Sequence, residues 1–275
     1  MVLAEAALAA GAHIVLEGPP GTGKSTLLRQ VARARHAEFV LVEGSAELTP
    51  ARLIGSFDPA LVLEQGYRPE NFSDGPLLRA MRDGGLLYVE ELNRVPEETV
   101  NVLLTVMSEG ELNVPRLGRV VAGPGFRLVA AMNPYDSVGT SRLSMALYDR
   151  TCRICVGYQD EAAEREIVRL VAPAAKAPLV AEAVALARAT RTHPDLRSGA
   201  SVRGAIDYAK LVPEVAALRA VPADDWQAGL DAALTSLSGR VRRHEACQRS
   251  ADEIVAEIFR QVRARAAGDG DGPGE

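Results

Sequence analysis

The stretch "HIVLEGPPGTGKSTLLRQVA", residues 13–32, decides the fold. Its first five residues, 13–17, centre on the apolar, partly β-branched Ile14-Val15-Leu16, the signature of a buried strand. Gly18-Pro19-Pro20-Gly21-Thr22-Gly23-Lys24-Ser25 then matches G-x-x-x-x-G-K-[ST] in full. A helical pattern begins at Lys24, so the motif stands between strand and helix, the context it requires. Glycines let backbone N–H groups turn inward around phosphate oxygens, and the helix N-terminus adds a positive dipole. Lys24 is placed to neutralise β- and γ-phosphate charge, and the Ser25 hydroxyl to ligate Mg²⁺. Residues Gly18 through Ser25, with Thr26, are therefore expected to hold a nucleotide. A glycine-rich turn that binds nothing is the bland alternative.

Working outward, four further apolar runs read as strands: "FVLVE" (39–43), "GLLYVEE" (85–91), "FRLVAAM" (126–132) and "RICVGY" (153–158). Helical patterns separate them, which predicts a doubly wound α/β unit with a five-stranded parallel sheet. After Tyr158 the strand signals stop. Segments 160–172, 178–191, 201–212, 224–237 and 250–267 read as helices, most opened by an acid or a proline. The expected division is a P-loop nucleotide-binding core over 1–157, an all-helical domain over 158–267 and a disordered acidic tail over 268–275.

The run "LLYVEELNRVPEET" (86–99) ends an apolar strand on two adjacent carboxylates, Glu90 and Glu91. A strand running into solvent before a helix N-terminus would also carry acids there. Beside a P-loop, the carboxyl end of a neighbouring parallel strand faces the phosphates. Glu90 is then expected at the metal and Glu91 at the attacking water.

Bulk composition narrows the class. The chain has 275 residues, 47% hydrophobic and 24% charged, with a net charge of −5. Negative charge argues against constitutive nucleic-acid binding. No apolar run approaches the ~18 residues of a membrane span. The N-terminus lacks the basic region of a secretory signal, and three cysteines make no disulfide framework, so a reduced cytoplasmic protein is expected.

Taken in order, "GPPGTGKS", "LLYVEELNRVPEETVNVLLTVMSEGEL", "FRLVAAMNPYDSVGTSRLSMALYDR" and "GASVRGAIDYAKL" resemble the MoxR family of AAA+ ATPases over about residues 10 to 215. Residues 53–85 are similar to the helix-two insert of that branch, and residues 111–130 to its hairpin before the sensor strand. The resemblance implies an α/β P-loop core, a helical lid, ATP and Mg²⁺ as ligands, and hydrolysis in a homo-oligomeric ring, most often a hexamer. It implies chaperone-like work on a client protein, with a von Willebrand A domain partner. The family's usual acid pair is Asp-Glu, so Glu90 is a departure, and weakened hydrolysis is the expectation it raises.

Further roles come through that resemblance. Asn133 matches the sensor-one position; from the residues alone, Asn133-Pro134 reads equally as a turn. Arg150 lies where the family carries an arginine finger that acts on a neighbouring subunit's nucleotide, with Arg142 and Arg153 as competitors. Arg203 matches the lid's sensor-two arginine, with a solvated surface arginine as its alternative. Asn93 and Arg94 match the family's Asn-Arg pair and are expected near a subunit interface. About a dozen residues precede the first strand, so loose base selectivity is expected.

Other signals carry less. Cys152 and Cys155 have redox or zinc spacing but no second pair, and are expected to be small core residues. The basic run "GRVRRHEACQR" (239–249) reads as a solvated helix face or partner surface rather than a nucleic-acid site. A metal-chelatase motor subunit, a nucleotide-dependent assembly switch and a DNA-acting motor remain rival functions.

Overall fold

The computed structural model describes residues 2–134 and 144–268. The chain divides into two compact units, Met1–Gly157 and Tyr158–Glu275.

The first unit opens with α1 (Val2–Ala9), β1 (His13–Glu17), α2 (Lys24–Ala34) and β2 (Phe39–Glu43). The insert segment follows as α3 (Pro50–Ile54), β3 (Gly55–Phe57), α4 (Pro59–Gln65), β4 (Phe72–Asp74) and α5 (Pro76–Arg82). Each of its helices starts on proline, whose missing N–H is no loss at a first helical position. The Asp58 carboxylate caps α4 by accepting from Ala60 N at 2.8 Å. β3 and β4 pair antiparallel from Gly55↔Asp74 to Phe57↔Phe72. The chain continues through β5 (Leu86–Glu90), α6 (Glu97–Glu109), the antiparallel hairpin β6 (Glu111–Val114) and β7 (Gly118–Val121), β8 (Arg127–Met132), α7 (Met145–Asp149) and β9 (Thr151–Cys155).

The five long strands form one parallel sheet in the order β2-β5-β8-β1-β9. Alternation along each strand serves two cores. Leu87, Val89, Leu128, Ala130 and Val15 face one cluster, which Leu53, Leu77, Leu78, Met81 and Leu103 complete. Leu86, Tyr88, Val129, Ala131, Ile14 and Leu16 face the other, under Leu8 of α1 and Leu28 and Val31 of α2. Each fully buried aliphatic side chain contributes about 1.5–3 kcal/mol, so both faces are strongly held. The last strand lies earlier than the run 153–158 predicts. Register with β1, His13↔Thr151 to Glu17↔Cys155, sets its ends rather than hydrophobicity.

The second unit carries α8 (Glu161–Val171), α9 (Ala177–Thr192), α10 (Val202–Arg219), α11 (Trp226–Leu237) and α12 (Ala251–Gly268) around one core that includes Val184, Tyr208, Leu237 and Phe259. It is not all helical: β10 (Leu196–Ser198) pairs antiparallel with β11 (Arg242–Arg243). That ladder also corrects the basic run, which is a 3₁₀ turn and a short strand instead of a helix face. Two of its four arginines find acids within the unit, Arg240 on Asp207 and Arg249 on Asp195 at 2.9 Å. Glu164 is buried and held by Arg191 at 2.7 Å and Arg188 at 3.2 Å. Residues 269–275, most of the expected tail, lie outside the described residues.

Candidate active site

The P-loop runs from the end of β1 into α2. Gly18 is required by proximity, since a Cβ there would sit 2.0 Å from the Val156 carbonyl oxygen. Gly23 precedes α2 with φ 78, a left-handed conformation that glycine adopts without strain, and no side chain caps the helix. The first N–H groups of α2 therefore face the loop, where an anion gains most. Thr22 Oγ1 donates to Pro19 O at 3.0 Å, which closes the turn through Pro20 and Gly21. Lys24 is buried, and its Nζ donates to Gly18 O at 3.0 Å and Pro19 O at 2.9 Å. The ammonium is thus held at the centre of the loop. Thr26 stands exposed on the first turn of α2.

Parallel pairing brings the carboxyl ends of β5, β8 and β1 side by side. Glu90, Asn133 and Gly18 consequently share one edge of the sheet. The Ser25 hydroxyl donates to Glu90 Oε1 at 3.1 Å, joining two residues 65 positions apart. A hydroxyl and a carboxylate oxygen at that spacing are hard donors. They fit Mg²⁺, which takes one or two protein oxygens along with phosphate oxygens and waters. Among the described residues no cluster of three or more His, Cys, Asp or Glu forms a self-sufficient metal cage.

Glu91 follows with φ 52, a left-handed conformation costing a non-glycine residue about 1 kcal/mol. Its carboxylate lies 3.0 Å from Arg94 Nη1, both groups partly exposed. Asn93 is buried in the same 3₁₀ turn. Asn133 directly follows β8 and is half-buried.

Arg150 is elsewhere. It caps α7 and precedes β9, whose first residue pairs with His13, the first of β1. It therefore lies at the amino end of the sheet, about 20 Å along the strands from Gly18. Its Nε donates to Ser108 Oγ at 2.5 Å and its Nη1 to Ala146 O at 2.9 Å. Arg153 is committed within the chain, its Nη2 2.5 Å from Glu17 Oε2. Arg142 lies outside the described residues. Arg203 is exposed near the start of α10, its backbone N–H capped by Ser201 at 3.4 Å. The expectation that Cys152 and Cys155 are core residues fails: both are exposed, because β9 is an edge strand.

Sequence reasoning missed Glu17. It is buried at the end of β1, beside the P-loop, and receives Tyr148 OH at 2.7 Å and Arg153 Nε at 2.6 Å. Burial pushes its pKa up, but the Arg153 and Tyr148 hydrogen bonds and the Arg153 charge outweigh that and hold it below 4.5. The signal was available, since an apolar strand ending in an acid is the pattern that singled out Glu90.

A five-stranded parallel sheet with a P-loop after β1, next to the edge strand β9, and an acidic pair where β5 ends, on the far side of β8, defines an AAA+ P-loop ATPase fold. Residues 13–151 match the AAA domain of the dynein-related subfamily, and the chain belongs to that family. The MoxR likeness read from the motifs stands with it. An uncharacterised protein of Staphylococcus haemolyticus is 30% identical over 215 residues, 76% of this chain and 81% of the relative. The gas vesicle ATPase GvpN of Haloferax mediterranei is 29% identical over 266 residues, 90% of this chain and 74% of GvpN. In fold, the chain is similar to NtrX of Brucella abortus, solved in complex with ATP, with a TM-score of 0.54, 20% identity, and coverage of 96% of this chain and 57% of NtrX. No helix among the described residues is long and apolar enough to cross a membrane.

Proposed function

We propose that this chain is a Mg²⁺-dependent ATPase working in a homo-oligomeric ring, a hexamer, in the cytoplasm. The first unit is its ATPase core and the second its lid. The single observation that carries the reading is the 3.1 Å contact between Ser25 Oγ and Glu90 Oε1, which joins P-loop and strand-end carboxylate into one oxygen pair. Mg²⁺ bound there supplies charge neutralisation on the phosphates. Lys24 and the α2 N-terminus bind and orient the β- and γ-phosphates. Glu91 takes the proton of the attacking water, and Asn133 positions that water. Arg150 serves a neighbouring copy's nucleotide, and Arg203 acts as a sensor for the phosphates. Hydrolysis drives remodelling or maturation of a client protein, with a von Willebrand A domain protein as partner. The likeness to an ATPase, GvpN, supports the chemistry and says nothing of the client.

The test is steady-state phosphate release by the purified chain and by Glu91→Gln across a range of protein concentration. Turnover should rise with concentration and fall at least ~100-fold in the variant. Background turnover in both, with ATP still bound, would instead support a nucleotide-dependent assembly switch. That second reading has one observation in its favour, the ion pair that ties Glu91 to Arg94.

A further inference from the structure

Tyr88 lies in the middle of β5 and is 0% exposed. Its hydroxyl is buried, and no described residue completes a hydrogen bond with it. A buried phenol normally finds a partner, and phenylalanine would fill the same space without that demand. Its placement supplies the reason for the hydroxyl. Side chains two apart on a strand share a face, so Tyr88 and Glu90 project to the same side of β5. That side is covered by α2, whose Leu28 and Val31 share the Tyr88 cluster. Ser25 opens α2 and reaches Glu90. Ser25 and Glu90 therefore lie on the side of β5 that Tyr88 faces.

We propose that Tyr88 is a positioning residue for Glu90: its buried hydroxyl donates to the Glu90 carboxylate and holds it against Ser25 for Mg²⁺ of a bound nucleotide. Glutamate has one more rotatable bond than aspartate, and a fixed donor beneath its carboxylate offsets that freedom. The inference deepens the nucleotide-binding reading and rests on it.

The experiment titrates the full-length chain with a fluorescent ATP analogue, once with excess Mg²⁺ and once in EDTA. Tyr88→Phe should weaken binding about tenfold in Mg²⁺, the size of one charge-assisted hydrogen bond, and change it less than about twofold in EDTA. The half-saturating Mg²⁺ concentration should rise by the same factor. Glu90→Asp ends one methylene short of the phenol, so adding Tyr88→Phe to it should cost nothing more. Equal weakening in Mg²⁺ and EDTA, or losses that add in the double variant, would overturn the proposal. So would a Tyr88→Phe protein that binds normally and melts higher, the behaviour of a merely unsatisfied hydroxyl. If the unsubstituted chain binds in neither condition, the nucleotide-binding reading itself falls, and the inference with it.

Discussion

At the scale of single residues, Glu17 shows how a buried charge becomes structural. Its carboxylate sits between Tyr148 and Arg153, one residue before the P-loop. Arg153 is about half exposed, so solvent screens the pair and the expected worth is small. Glu17→Gln should lower stability by about 1 kcal/mol at pH 7, read as a shift in urea midpoint. The sign with pH is fixed: a carboxyl held below 4.5 in the fold stabilises above that value and loses its effect as pH falls through the folded pKa. The gap between the two proteins should therefore close in acid. A gap unchanged at pH 3 would mean that packing, not charge, is what Glu17 supplies.

At the scale of elements, the start of β1 is tied to β8 by a histidine. His13 Nδ1 accepts the Leu128 backbone N–H at 2.8 Å, so the fold holds the neutral ring. Burial, then the Arg127 charge, lowers its pKa to about 4, against a small raising contribution from the Met107 backbone. Between pH 6.5 and 4 the unfolded chain takes up a proton here and the folded chain does not. Stability is therefore lost as pH falls across that window, by about 2 kcal/mol after allowing for partial exposure. His13→Asn keeps an acceptor that does not titrate, and its pH–stability curve should be flatter there by that amount. Parallel curves would show that acid loss comes from other groups. Much of this element level was legible: alternating and continuous apolar runs gave β1 and β2 with their limits, and β5 and β8 to within a residue. β10 and β11 were not, because three- and two-residue strands have no period to read.

At the scale of the whole molecule, the phosphate role proposed for Arg150 carries a requirement for assembly. Arg150 stands at the end of the sheet away from its own P-loop, so that role needs the phosphate of another copy. A head-to-tail ring supplies that copy. Arg150→Ala and Glu91→Gln should each abolish turnover alone. Mixed in equal amounts they should recover activity, because random mixing in a head-to-tail ring leaves roughly a quarter of interfaces with an intact Glu91 facing an intact Arg150. Phosphate release from the mixture is the measurement, and no recovery would sink the shared site.

The sequence by itself determined the P-loop, the strand–helix alternation and the acid pair at 90 and 91. These are local: period, turn chemistry and residue spacing are written within a few dozen positions. Only the tertiary structure decided the strand order, the meeting of Ser25 with Glu90, the Glu17–Tyr148–Arg153 cluster and the buried hydroxyl of Tyr88. Partners 65 and 131 positions apart meet through parallel crossovers, and the packing of helices on both sheet faces sets which strands become neighbours. That packing is a property of the folded chain, so no single stretch of sequence displays it.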